Sequence, residues 1–219
     1  MERKIVFSEG EFYHVYNRGV EKRPIFSDRN DRERFLRLLF IANSTEPFDF
    51  REIADKKYSE IDRGELLVAI GAYCLMPNHF HLLIREIVPA GISLFMGKLA
   101  TGYSMYFNKR HGRVGPLFQG RFKAQHVEKD THLKYLFAYI HLNPVKIIDP
   151  HWKESGIRDK ARAKQYLNEY RYSSYPDYNG AEREEKDILT TKEFPAYFVK
   201  KHDFADFIHD WMQYGGEHE

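Results

Sequence analysis

The sequence predicts an α+β fold of the ferredoxin-like kind, βαββαβα, with an antiparallel sheet, helices mainly on one face and a C-terminal helical extension. Three observations predict it. Short runs rich in aromatic and β-branched residues alternate with amphipathic stretches in that order. A Met76-Pro77-Asn78 turn joins two apolar runs into a hairpin. A third helical stretch then follows the fourth strand and stops at Pro144, which cannot continue a helix.

Residues 11–18 (EFYHVYNR) read as the first strand, ending at Gly19. Asn30 and Glu33 have the spacing of a capping box, and the helix they start carries Phe35, Leu36, Leu38, Leu39 and Phe40 to about Asn43. Residues 44–65 are polar, without a clear period, and form a long connection with room for one short helix. Residues 66–74 (LLVAIGAYC) are a buried strand, and residues 79–85 (HFHLLIR) its hairpin partner. Pro89-Ala90-Gly91 breaks the chain before a helix whose apolar positions, Ile92, Phe95, Met96, Leu99, Tyr103, Tyr106 and Phe107, keep helical spacing. A Gly- and Arg-containing loop at 108–120 leads to a fourth strand at 121–127. Asp130 is the expected N-cap of a third helix running to about Asn143. Beyond 147 the chain turns acidic and Tyr-rich, with helical stretches near 159–169 and 204–214. The expected organisation is a domain at 1–147 and an extension at 148–219.

Composition bounds the function. Of 219 residues, 42% are hydrophobic and 30% charged, which excludes wholesale disorder. The longest apolar run, 66–76, is too short to span a bilayer. No membrane association and no secretory leader are expected, and the single Cys74 suits a reducing cytoplasm. The net charge of +2 conceals an uneven distribution. Residues 1–97 carry 14 basic and 15 acidic side chains, and residues 147–219 carry 11 and 15. Residues 98–146 carry nine basic and two acidic, a net of +7, with Tyr103, Tyr106, Phe107, Phe118 and Phe122 among them. Cations neutralise phosphates and aromatic faces stack on unpaired bases, so this quarter of the chain is a candidate nucleic-acid surface. A solvated basic face over core aromatics is the plain alternative.

His79 and His81 flank Phe80, and on a strand both imidazoles project to one face. On the third helix, Leu133, Leu136, Phe137 and Ile140 form the apolar face, while His132, Tyr139 and Asn143 lie along its flank with Tyr135 beside them. Taken singly, the histidines suit an exposed strand face, Tyr139 a core margin and Asn143 a helix C-cap. Together they supply two imidazoles, an amide oxygen and a phenol. The first three can hold a divalent metal, Mg²⁺ or Mn²⁺, and the phenol can act as a nucleophile. With an ordinary pKa of about 10 the phenol needs help at neutral pH, part of which a metal on the phosphate supplies.

His-Phe-His resembles the HUH (His-hydrophobic-His) motif of single-tyrosine nucleases, and AYCLMPNHFHLLI resembles the metal-binding hairpin of single-tyrosine transposases. Within that group, YHVYNRG, RHGRVGPLFQGRFKA and YLFAYIHLNPVK are similar to REP-associated tyrosine transposases, over residues 11–147 with a further match at YRYSSYPDY. The resemblance implies that His79, His81 and Asn143 bind the metal and that Tyr139 is the nucleophile. It implies cleavage and rejoining of single-stranded, hairpin-bearing DNA through a 5′-phosphotyrosine. The basic segment, with Lys109, Arg110, Arg113, Gln119, Arg121 and Lys123, is then expected to lie near DNA. Three departures stand out: His141 where the family often has Glu, Tyr172 where it usually has Trp, and the long 44–65 connection. A non-catalytic nucleic-acid-binding protein retaining the fold is the competing reading, and an HUH nickase serving replication or plasmid transfer is a third. LMPNH and LNPVK favour a transposase relative over the nickase. The sequence leaves open whether the protein is a monomer or homodimer, and whether the third helix completes its own site or a partner's.

Overall fold

A computed structural model describes residues 5–200 and 202–213. Strands β1 (Phe12–Arg18), β2 (Val68–Met76), β3 (His79–Glu86) and β4 (Lys123–Val127) form one sheet in the order β2-β3-β1-β4, every pair antiparallel. Helix α1 (Arg29–Ile41), the single turn α2 (Phe50–Ile53) and a 3-10 turn (Tyr58–Glu60) connect β1 to β2; α3 (Gly91–Arg110) connects β3 to β4. This is the expected ferredoxin-like order. The 44–65 connection is no loose insertion, because Phe48, Phe50, Ile53, Tyr58 and Ile61 pack on the core under α1 and α3.

Strand alternation sorts the side chains. Tyr13, Val15, Phe80, Leu82 and Ile84 face α1 and α3, meeting Phe35, Leu39, Phe95, Leu99 and Tyr103. The opposite face of the sheet takes α4 (Asp130–Leu142), whose Leu133, Leu136, Phe137 and Ile140 lie on Ala69, Ala72, Cys74, Leu83 and Val127. The expected one-sided layer is therefore α1 and α3, while the third helix covers the other side. All nine residues of β2 are buried, so both its faces require a cover, and the small Ala69, Ala72 and Cys74 let a helix approach closely. A register shift at Gly71 marks a bulge, with the Phe194 ring where a β-carbon would sit.

Two helix starts differ from expectation. Asp28, not Asn30, caps α1 by accepting from the Asp31 N–H, and Glu33 pairs with Arg29. Lys129 holds the N-cap position of α4, and the Asp130 carboxylate instead meets the Lys134 ammonium at 2.8 Å and the Tyr197 hydroxyl. At its other end α4 gives way at Asn143 and Pro144 to the turn α5 (Val145–Ile148). Next come α6 (Trp152–Ser155), α7 (Lys160–Glu169, capped by Asp159), α8 (Tyr175–Tyr178) and α9 (Asp203–Gln213). The helices expected near 159–169 and 204–214 are α7 and α9; Tyr214 lies outside the described residues. This C-terminal part has its own core of Ile157, Ala163, Leu167, Tyr175, Phe204 and Ile208, joined by Leu142 and Val145. It also covers the β2 edge: Leu75 N–H donates to the Tyr172 carbonyl, Ser174 N–H to that of Tyr73 and Thr190 N–H to that of Ile70. Among the described residues no helix is long and apolar enough to cross a membrane.

Candidate active site

Strand register builds the site. His79 and His81 share a face of β3 and stand opposite Arg18 and Tyr16 on β1; His14 lies two residues further along the same face of β1. His14 Nε2 is 2.9 Å from His81 Nδ1, and His79 Nδ1 is 2.6 Å from the Asn78 side-chain oxygen. Donation from Nδ1–H in both cases leaves Nε2 of His79 and His81 as free acceptors. Burial holds all three imidazoles in the neutral form: His14 and His79 are lowered to about 4 and His81 well below its ordinary value, with nearby cations and neighbouring imidazoles adding to the effect. Neutral imidazole is the form that binds a metal ion.

Helix α4 brings Tyr139 onto this face of its own chain. Its ring centroid is 5.5 Å from that of His81 and 6.0 Å from that of His14, both edge-on. Tyr135 stacks beside it at 5.8 Å. The Lys153 ammonium, from α6, sits 4.0 Å above the Tyr139 ring. One turn on from Tyr139, Asn143 is buried, and its side-chain nitrogen has no hydrogen-bond partner. His141 faces the other way: it is fully buried, with Nδ1 at 2.8 Å from the Phe137 carbonyl and Nε2 at 2.7 Å from the Ser174 hydroxyl. His141, one of the departures from the family pattern, therefore ties α4 to the C-terminal segment.

His79, His81, Tyr139 and Asn143 all line one cavity of about 690 Å³. Arg18, Lys22, Lys123, Lys146 and Lys153 line it as well, and among the described residues no carboxylate does. A second cavity of about 900 Å³ opens on the other side of Tyr139, walled by His132, Tyr135, Phe207 and Trp211, with Lys134 and Lys153 among its lining.

Of the six residues expected near DNA, Gln119 and Lys123 reach the first cavity, and Gln119 accepts from Arg18 Nε at 2.7 Å. Lys109 and Arg121 are exposed outside it. Arg113 lies over the Phe107 ring at 5.7 Å. Arg110 has a different occupation, pairing with Asp28 at 2.7 Å and with the buried Asp31 at 2.5 Å. Sequence reasoning missed His14, Arg18, Lys22 and Lys153. For the first two a signal exists, since His14, Tyr16 and Arg18 alternate on one strand face.

The family model described as IS200-like transposase matches residues 13–143, more than half of the chain. The chain belongs to this transposase family. Among solved structures, one titled as a REP-associated tyrosine transposase bound to a REP hairpin aligns with a TM-score of 0.49 at 14% identity, covering 81% of this chain and 84% of that one. No curated protein matches.

In this IS200-like transposase the donor chemistry fits a divalent ion. Among the described residues no three His, Cys, Asp or Glu side chains are grouped to hold a metal, and the donors that this cavity offers are two imidazoles and the Asn143 amide. Each histidine keeps Nε2 free, and Asn143, whose buried side-chain nitrogen has no partner, brings an amide to the same cavity. His14 holds the His81 ring from behind, as outer-shell partners of metal-binding histidines do.

Proposed function

We propose that this transposase cleaves and rejoins single-stranded, hairpin-bearing DNA, with Tyr139 as nucleophile and a divalent metal, Mg²⁺ or Mn²⁺, held by His79, His81 and Asn143. The observation that carries this reading is the first cavity: a phenol, two neutral imidazoles and a buried amide share it with five cations and, among the described residues, no carboxylate. Such a lining suits a phosphodiester and repels no part of it. The aromatic walls of the second cavity suit unpaired bases, which supports a single-stranded substrate. The hairpin rests on the resemblance of the sequence strings to REP-associated tyrosine transposases.

In this mechanism Tyr139 Oη attacks the scissile phosphorus, and the P–O3′ bond breaks, leaving a 5′-phosphotyrosine and a 3′-hydroxyl. A 3′-hydroxyl attacking that linkage reverses the step and joins strands, so bond energy is conserved. A divalent ion, when bound, polarises the phosphate oxygens and lowers the barrier to attack. His81, oriented by His14, and His79, oriented by Asn78, hold their Nε2 atoms for that ion. Arg18, Lys22, Lys123 and Lys146 fix the strand on either side.

The test is a covalent adduct. Labelled single-stranded DNA bearing hairpins, incubated with the protein and Mn²⁺, should give a species of protein plus DNA that survives denaturing electrophoresis. Tyr139→Phe should abolish it. An adduct that persists in Tyr139→Phe, or none with any of several hairpins, would leave the non-catalytic nucleic-acid-binding reading. Its loss in Tyr135→Phe but not in Tyr139→Phe would move the nucleophile to the stacked neighbour.

A further inference from the structure

The C-terminal extension does more than cover the sheet. Lys153 lies ten residues beyond the end of the family match, on the turn α6, and its ammonium stands 4.0 Å above the ring of Tyr139. It lines both cavities that flank that ring. It is partly buried, and among the described residues no carboxylate lies within ion-pair distance of it. Other groups near it are cations and neutral rings: Lys146, His79 and His81 in the first cavity, His14 in the second, and the Trp152 ring at 5.9 Å. An ammonium that lines a cavity with no carboxylate beside it is placed to pair with an anion that enters. Its position over the expected nucleophile puts that anion where the reacting phosphate would be.

We propose that Lys153 binds the scissile phosphate beside Tyr139, so that the C-terminal extension supplies a catalytic residue from outside the family-matched segment. This inference rests on the proposed tyrosine chemistry for the identity of the phosphate. In the step itself Tyr139 Oη–P forms and P–O3′ breaks, the electron pair leaving on O3′. The phenol proton passes to solvent and O3′ takes one from it. Lys153 stays protonated throughout, donating to a non-bridging oxygen whose charge grows as the fifth bond to phosphorus forms. Its contribution is electrostatic stabilisation of that charge.

Charge coupling between Lys153 and one phosphate tests this without relying on turnover. In the Tyr139→Phe protein, a single neutral methylphosphonate is moved through each position flanking the hairpin of a single-stranded oligonucleotide, and affinity is measured at fixed salt. At one position the substitution should weaken binding about tenfold, the size of one charge-assisted contact. In Tyr139→Phe with Lys153→Met the penalty at that position should vanish while those elsewhere remain, and Lys153→Arg should restore it. Penalties unchanged by Lys153→Met at every position would overturn the proposal, since a purely structural lysine would not couple to a single phosphate. Lys153→Gln replaces Lys153→Met if the latter fails to unfold cooperatively; failure of both neutral variants to fold would also overturn the proposal, making the ammonium a structural group. Absence of the wild-type adduct bears on the tyrosine chemistry alone, because the binding cycle is read in a protein that cannot form it.

Discussion

His14 decides which nitrogen of His81 faces the cavity. Its Nε2, 2.9 Å from His81 Nδ1, accepts from that Nδ1–H and so keeps the proton off the Nε2 atom that faces the cavity. His14→Ala should weaken Mn²⁺ binding by about 10- to 100-fold, measured by calorimetry or by the Mn²⁺ resonance signal. His14→Gln, whose amide oxygen can accept the same hydrogen bond, should recover much of the loss. Unchanged affinity in His14→Ala would remove the orienting role. At this scale His79, His81, Tyr139 and Asn143 were legible because strand alternation and the helical turn fix which neighbours share a face. The partners of those residues were not. His14 meets His81 across a strand pairing, and Lys153 meets Tyr139 across a turn in the chain, so local spacing carries neither contact.

Elements were legible in order and type, and less so at their ends. Asp28 and Asn30 are equally good caps in isolation. Arg110, at the far end of α3, selects Asp28 by pairing with it and with the buried Asp31, which also receives the Ser27 N–H at 2.9 Å. The same contact turns a residue from the basic segment into a clamp between two helices. The side of the sheet taken by α4 was likewise hidden, because it depends on the small residues of β2 rather than on the helix itself. Gly71 shows how closely that face is filled. A β-carbon there would meet three atoms of the Phe194 ring at 2.5, 2.6 and 2.8 Å. Gly71→Ala should cost about 1–3 kcal/mol, read as a lower urea midpoint at unchanged slope. No shift would mean that the ring moves aside freely.

Across the whole molecule, the expected boundary at 147 cuts through packed surface. Leu142 and Val145 belong to the same cluster as Ile157, Phe204 and Ile208, and residues 172–174 and 190 hydrogen-bond along β2. A chain ending at residue 147 should expose that cluster and a long apolar edge, lose cooperative unfolding and aggregate; a well-behaved monomer with a sharp transition would refute this. The charge map needs the same widening. The +7 segment supplies Lys123 and Lys146 to the first cavity, but Arg18 and Lys22 come from the slightly acidic first part and Lys153 from the acidic tail. Counting charge along the chain cannot register cations that only folding gathers. The lack of carboxylates among the described lining residues has a consequence for the protein at rest: five cations gathered in one cavity will recruit small anions from solution. DNA then enters by exchange rather than by filling an empty space, and the displaced ions add their entropy to the association. Sulfate or phosphate, which mimic the incoming backbone, compete for this cavity more strongly than chloride does.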